Sequence, residues 1–548
     1  MDNTIGDFSF LPLGGTGEIG MNLNLYCLGG KWLAVDCGIG FGGPEHPEVD
    51  VMMPDPGFIA DRRANLVGLV ITHAHEDHIG AVAWLWPQLQ CPVYATPFAA
   101  AVLKRKLAEV QLQNTVPVHV IAPGAAFAVK PFKLQFLRMA HSIPEAQALV
   151  IDTPHGVVLH TGDWKLDAVP LVGPPSDEAA LAALGEKGVL AMVCDSTNAL
   201  VDGHSGSEGD VRQSLAALIL GLRGRVAVTC FASNVARVES IALAAQAARR
   251  SVAIVGRSLK NLEAAARDCG YLKGIPRFLS IEAAEDIPDD NILIIVAGSQ
   301  GEPRSALTRI AMDTHPRIAL GEGDTVIYSS RVIPGNERAI GTAQDHLVRR
   351  GVRIMTDADH LVHVSGHPAR DELRKLYSLV KPRFAIPTHG EWRHMAAHAE
   401  LARDAGSRPI MMEDGDILSF APGRPEIVDS APVGRLVLDG NRLVPLSGDV
   451  MSARRRMLFN GVAVASFAVD EAGRLRGKPR LSAPGLYDED DPEAARVIDD
   501  FCTAIADFPA PTRRDDAALT EGARAALRRA LGRRLARRPL VEIHLLRV

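Results

Sequence analysis

No stretch of the 548-residue sequence approaches the ~20 consecutive apolar residues that a membrane-spanning helix needs. The first residues, Met-Asp-Asn-Thr, carry neither a basic segment nor an apolar one, so no secretory signal is expected and a cytoplasmic location is. Cysteine is sparse. The seven residues (27, 37, 91, 194, 230, 269 and 502) are scattered without a C-x-x-C pair, which argues against disulfides and a thiolate zinc site and for small buried side chains. Positive charge is not in excess either: the formal net charge is −6, mild evidence against a nucleic-acid partner. That test is weak, because a metal site needs carboxylates and a basic groove can coexist with an acidic remainder.

The composition that remains is that of a globular protein, and the length suggests about three domains. Residues 8–200 alternate strands with turns and a few helices. Over 205–360 strands are expected at 225–231, 251–256, 291–297 and 324–330, and helices at 233–249, 258–268, 305–314 and 336–350. Such alternation implies parallel strands with crossover helices, hence a separate α/β domain. Histidine-bearing strand ends resume at 361–420, so the middle block reads as an insertion. A turn-rich stretch over 421–450 leads to a last mixed segment with strands at 459–468 and 540–547 and an Arg-rich helix at 520–538. In that helix Arg524 and Arg528, and Arg534 and Arg538, recur at i,i+4 opposite Ala and Leu. A solvated face is the plain reading, with an RNA- or partner-facing stripe as the alternative.

The densest chemical signal is GLVITHAHEDH at 68–78. An apolar strand ends in a loop with His73, His75, Asp77 and His78, a set suited to zinc or manganese. Further strands run into Asp36, His141, Asp163, Asp195 and His389. Each alone is a weak signal, since a polar residue after a strand is commonly a turn or cap. Together they converge, because strand carboxyl ends along one sheet edge open onto one crevice. Two metals about 3.5–4 Å apart can clamp the attacking and leaving oxygens of a phosphodiester. The expected sharing is His73, His75 and His141 on one ion, and Asp77, His78 and His389 on the other. Asp163 bridges, since a carboxylate offers two oxygens, and Asp36 orients ligands from behind. The glycines of GGTGEIG (Gly15, Gly17, Gly20) match a dinucleotide fingerprint, but a strand-like segment follows where a helix would be required. A tight turn near the site is expected instead.

The order Asp36, HAHEDH, His141, Asp163 resembles the motifs of the metallo-β-lactamase superfamily. DSTN at Asp195, HVSGH at 363–367 and PTHGE around His389 resemble the added motifs of its β-CASP nucleases. With GGTGEIGMN, HSIP, TGDWKLD, FASN and GSQGEP, the pattern over about 8–420 is similar to the bacterial ribonuclease J family. The resemblance implies an α/β fold: an αββα sandwich over 1–204 and 361–440, a β-CASP domain inserted at 205–360, and a linker with a small α+β domain at 441–548. It implies hydrolysis of single-stranded RNA by two divalent ions, zinc first and manganese or magnesium as substitutes. The expected action is 5′-to-3′ from monophosphorylated ends, with internal cutting as a second mode, by a homodimer or homotetramer without membrane association. It also implies a catalytic set of Asp195, His367 and the ligand Asp77. Substrate phosphate is expected on His363, Val364, Ser365, Gly366 and His367, and at Ser233 and Asn234, with an ordinary helix N-cap pair as the alternative for these last two. One departure is Glu145-Ala146, where many relatives carry Asp and Ser; local hydrogen bonding is expected to differ there. Three other readings compete. They are a DNA nuclease of the repair type, a hydrolase of small thioesters or lactams, and an inactive RNA-binding scaffold.

Overall fold

The structure is a computed structural model that describes residues 6–43, 45–488 and 490–548. The chain forms two compact units, one running to Glu45 and again over Val51–Arg435, the other comprising His46–Asp50 and Leu436–Val548.

Two sheets face each other in the first unit. One has the order Glu426–Ser430, Asp416–Ala421, Phe8–Gly14, Leu23–Leu28, Lys31–Val35, Leu66–Val70, Val93–Ala95, Val118–Val120. The other runs Arg408–Pro409, Phe384–Thr388, Ala191–Asp195, Gly156–His160, Gln147–Thr153, Phe132–Arg138, Ala126–Val129. Between them lies a core that includes Phe8, Phe10, Tyr26, Val35, Phe132, Phe136, Leu149 and Ile386. The two-residue period of a strand divides Ala191–Asp195 between layers. Ala191 and Val193 enter the sheet–sheet core, while Met192 and Cys194 meet the helices Glu178–Lys187, Arg370–Val380 and Trp392–Asp404 on the other side. Helix Pro97–Glu109 packs on Val93–Ala95 and Val118–Val120 of the first sheet. The result is the expected αββα sandwich.

Parallel pairing decides where the chemistry collects. Lys31–Val35 and Leu66–Val70 run parallel, and so do Gly156–His160, Ala191–Asp195 and Phe384–Thr388. Their carboxyl ends deliver Asp36, His73, Asp163, Asp195 and His389 to the same rim.

The middle block holds a separate sheet, Ser251–Val255, Ile292–Val296, Val226–Thr229, Thr325–Tyr328, Arg353–Met355, in which every pairing is parallel. Its apolar layer includes Ile294, Val296, Leu307, Ile310 and Leu347. The expected helix at 305–314 is shorter, Ala306–Ala311, fixed at its start by the Ser305 side chain accepting from Thr308 N–H. Helix Glu208–Leu220, which opens this region, was not anticipated. The stretch 421–450 is less turn-like than expected: Glu426–Ser430 adds an exposed edge strand to the first sheet.

In the second unit Val462–Val469 pairs in parallel with Leu540–Arg547 and antiparallel with Arg480–Ser482, under helices Pro492–Ala506 and Asp516–Leu535. The strand expected from 459 begins three residues later. Residues Asp449–Asn460 are helical, and Gly461, at φ 74°, stops that helix and turns the chain. The Arg-rich helix buries Leu519, Leu527 and Leu531. It ends at Leu535, so Arg538 lies beyond it and the expected Arg534/Arg538 pair does not form on one helix. Arg533 and Arg534 lie 3.1 and 2.6 Å from Asp500, and Arg524 pairs with Glu521. All seven cysteines are free, five of them buried. Among the described residues no helix is long and apolar enough to cross a membrane.

Candidate metal centre

HAHEDH is not an open loop throughout. His75 caps a short helix, Glu76–Ile79, with extended dihedrals (φ −69°, ψ 152°), so Asp77 and His78 project from a helical turn. Acidic Glu76 and Asp77 suit the positive end of that turn. Gly38 lets the turn close in, since a Cβ there would lie 1.7 Å from the Asp77 carbonyl oxygen. The GGTGEIG segment supports the same turn from below. Gly15, Gly17 and Gly20 all have positive φ, the strand Leu23–Leu28 follows, and the Asn22 N–H and side-chain amide both donate to the Asp77 carbonyl at 3.0 Å. No helix opens after these glycines, so the dinucleotide reading fails.

Hydrogen bonds fix which nitrogen each imidazole presents. Asp36 accepts from Thr72 N–H and Thr72 Oγ1, both at 2.8 Å, and lies 2.7 Å from His78 Nδ1. Thr72, its proton given to Asp36, can only accept from His73 Nδ1 at 3.0 Å. The Gly366 carbonyl, which accepts only, lies 2.6 Å from His141 Nδ1. His73, His78 and His141 therefore each carry their proton on Nδ1 and present a bare Nε2. His73 Nε2 is 3.1 Å, and His141 Nε2 2.9 Å, from His75 Nδ1. At most one proton, on His75 Nδ1, serves these three nitrogens, so at least one bare Nε2 is left without a full donor unless a cation lies among them.

Electrostatics keeps His73, His75 and His141 neutral, and without metal it charges His78 and His389, whose extra proton a metal would displace. Burial, reinforced by neighbouring imidazoles, pushes His73 and His141 well below the usual histidine range and His75 to about 4. Burial also opposes charge on His389 and His78. The carboxylates outweigh it, holding His389 at about 10 through Asp163, Asp195 and Asp77, and His78 well above its ordinary value through Asp163, Asp77 and Asp36. Asp163 stays ionised far below its ordinary range despite burial, because His389, His78 and His367 surround it.

The ligand atoms of His73, His75, His141 and Asp163 lie within 4.8 Å of one another, and so do those of Asp77, His78, Asp163 and His389. A third set, Asp163, Asp195, His367 and His389, meets the same limit, and Asp163, 2 % exposed, belongs to all three. His78 Nε2 lies 3.2 Å from its Oδ2, but neither oxygen has an aligned hydrogen bond. Without metal, the charged His78, His389 and His367 supply the cations that this buried carboxylate needs, a role that divalent metal can take over. The donor set therefore fits divalent metal.

Beside it, His367 Nδ1 lies 2.8 Å from Asp195 Oδ2, and His389 Nε2 lies 3.1 Å from Asp77 Oδ2. Ser365 Oγ accepts from Asn198 Nδ2 at 2.8 Å and from His367 N–H at 3.1 Å. His363 and Ser233 are half-buried and Val364 is buried. Asn234 does not stand ready for a phosphate: its oxygen caps helix Val235–Ala247 by accepting from Arg237 N–H, and its amide donates to Glu208. Glu145 accepts from Phe98 N–H at 2.7 Å and Tyr271 OH at 3.0 Å, tying helix Pro97–Glu109 to the inserted domain. Sequence reading missed Thr72, Asn22, Thr197 and Asn198. Thr197 Oγ1 sits 2.9 Å from His389 Nδ1. Each adjoins or lies inside a motif already singled out, and that adjacency was the available signal.

Comparison with known proteins follows the same division of the chain. A family model described as "Metallo-beta-lactamase superfamily" matches residues 22–224, and "Ribonuclease J, beta-CASP domain" matches 223–347. "Zn-dependent metallo-hydrolase RNA specificity domain" matches 351–412, and "Ribonuclease J C-terminal domain" 449–548. Ribonuclease J of Sinorhizobium meliloti is 44% identical over 547 residues, covering 98% of this chain and 97% of that protein. The chain belongs to the ribonuclease J family. Further members include ribonuclease J of Mycolicibacterium smegmatis, 40% identical over 90% of this chain and 88% of its own. That of Mycobacterium tuberculosis is 36% identical over 98% of this chain and 97% of its own. A solved structure of a protein of unknown function from Enterococcus faecalis aligns with a TM-score of 0.52 at 16% identity, covering 75% of this chain and 99% of that one, which concerns the fold alone. Family and donor set agree on a metal-dependent hydrolase.

Proposed function

We propose that the chain hydrolyses single-stranded RNA at a centre of two divalent ions, acting 5′ to 3′ from monophosphorylated ends and cutting internally as a second mode. The observation that supports the two-ion reading is Asp163, buried, without an aligned hydrogen bond on either oxygen and common to the His73, His75, His141 set and the Asp77, His78, His389 set. RNA as substrate rests on the ribonuclease J relatives, the nearest in sequence of those above being 44% identical.

In this reading His73, His75 and His141 hold one ion, Asp77, His78 and His389 the other, and Asp163 both. Zinc suits the imidazole-rich half, with manganese and magnesium as substitutes to compare. When bound, such ions polarise a phosphodiester and lower the pKa of water. The chain's own groups do the rest. Asp36 and Thr72 keep His73 and His78 in the ligating tautomer. His367, its pKa raised by Asp195 and Asp163 against the effect of burial, keeps a proton that it can donate to the leaving oxygen, with Asp195 holding it in place. Residues 363–367 with Ser233 receive substrate phosphate, and Asn234 contributes by capping the helix behind Ser233. The working enzyme is a cytoplasmic homodimer or homotetramer.

The test is degradation of matched 5′-monophosphate RNA and DNA oligomers, with 5′-hydroxyl RNA as control. The expected result is rapid mononucleotide release from the phosphorylated RNA only. DNA cleavage at an equal or faster rate would overturn the RNA assignment, and indifference to the 5′ group would overturn the end preference.

A further inference from the structure

Behind the metal centre runs a set of buried charges that coordinates no metal in the reading above. Lys165, fully buried, stands 2.9 Å from Asp167 and donates to the Gly206 carbonyl at 3.1 Å. Asp167 accepts from Ser207 Oγ at 2.7 Å and Glu208 N–H at 3.0 Å, which ties the TGDWKLD segment to the start of the inserted domain. Glu208, 1 % exposed, accepts from Arg237 Nη2 at 2.8 Å and Nε at 3.1 Å. Arg237 is itself fully buried, and its Nη1 donates to Ser329 O, Ser329 Oγ and Val362 O at 2.9, 2.8 and 2.9 Å. Ser329 Oγ adds a second bond to Val362 O at 2.6 Å. Val362 is the residue at which the chain re-enters the centre: His363–His367 follow directly, Gly366 orients His141, and His367 meets Asp195.

We propose that Arg237, held by Glu208, is a positioning residue for hydrolysis, fixing Val362 and thereby the loop that orients His141 and carries His367. The guanidinium suits this role because its rigid fork meets a carboxylate and three oxygens of two other segments, at Ser329 and Val362, at once, which a lysine ammonium does not match. The inserted domain thus contributes to ligand geometry through its buried interior as well as through its surface. The inference rests on His141 as a metal ligand and His367 as a proton donor.

Two variants test it. Glu208→Met with Arg237→Met removes the pair without leaving an uncompensated charge, which spares the fold better than either change alone. Ser329→Ala removes a single hydroxyl from the same clamp. Zinc affinity, amide exchange over 362–367, and kcat and KM on RNA are measured for both. The double variant is expected to exchange faster in that loop, to bind zinc about 10-fold more weakly and to lose about 10-fold in kcat with KM little changed. Ser329→Ala should show the same effects, smaller in size, and it decides the matter if the double variant does not fold. Folded variants with unaltered zinc affinity and kcat would overturn the proposal. Zinc affinity and exchange need no substrate. A wild-type protein that binds zinc but does not cut RNA would therefore count against the proposed function, and unaltered variants of an active enzyme against the clamp.

Discussion

Two clusters of buried charge lie side by side in the first unit, and they differ in one respect. Around Glu208 and Arg237 the principal donors and acceptors meet protein partners. Around Asp163 they do so only in part: neither carboxylate oxygen has an aligned hydrogen bond, and the bare Nε2 atoms of His73 and His141 crowd a single His75 nitrogen. The first arrangement is complete within the protein and serves to hold segments in register. The second is complete only with cations, so the contrast separates a structural cluster from a functional one by hydrogen-bond satisfaction alone.

The largest way to break this contrast is at the shared vertex. Asp163→Asn is expected to abolish RNA cleavage and lower the bound metal per chain while leaving RNA binding largely intact; retained turnover would show that the bridge is assigned wrongly. The complete cluster should respond in the opposite manner, through stability. Arg237→Met alone leaves Glu208 buried and unpaired, and a denaturant titration is expected to show a loss of about 3–5 kcal/mol, with the double change costing clearly less. Equal losses would mean that the pair is not coupled.

Smaller in energy, but specific to the incomplete cluster, is its response to pH. His389 is raised to about 10 from 6.5, so in metal-free protein its proton contributes stability fully below pH 6.5, which is lost as pH rises through 10. The depressed Asp163 acts the other way, its contribution present above 3.8 and lost as pH falls toward its lowered value. Metal-free protein should therefore weaken from pH 6.5 to 9, while metal, which must expel the histidine protons, binds more tightly over that range. Metal at 100 times its Kd stabilises by about 2.7 kcal/mol. The Tm gap between metal-loaded and chelated protein is expected to widen from pH 6.5 to 9, and a gap that narrows would contradict the charged state of His389 in the metal-free centre. Asp36→Ala sharpens the comparison further. It frees Thr72 and His78 from their acceptor, and metal affinity measured by competition with a chelator should fall about 10- to 100-fold with little change in fold.

Much of the functional cluster was legible in the sequence because ligands must be His or Asp and must follow strands. His73, His75, Asp77, His78, His141, Asp163 and His389 could be assembled from residue type and strand ends, and parallel pairing then brought them to one rim. The complete cluster was not legible in this way. Glu208 and Arg237 are 29 positions apart on two helices, and Val362 lies 125 beyond Arg237, so no local period connects them. Nor did the sequence decide between a helix cap and a phosphate contact for Asn234, because both use the same amide; the structure has it as the cap. The helical turn within HAHEDH was hidden for a related reason: three histidines and two acids have no strong helical period, and only the His75 cap and the space above Gly38 decide it. At the other end, the helix at Asp449–Asn460 displaced an expected strand because Gly461 supplies a stop that the preceding apolar residues do not reveal.

The most direct test of the central claim is anomalous diffraction at the zinc edge from crystals of zinc-loaded protein. Two peaks about 3.5–4 Å apart are expected, one among His73, His75 and His141, the other among Asp77, His78 and His389, with Asp163 between them. A single peak, or two peaks that do not share Asp163, would contradict it.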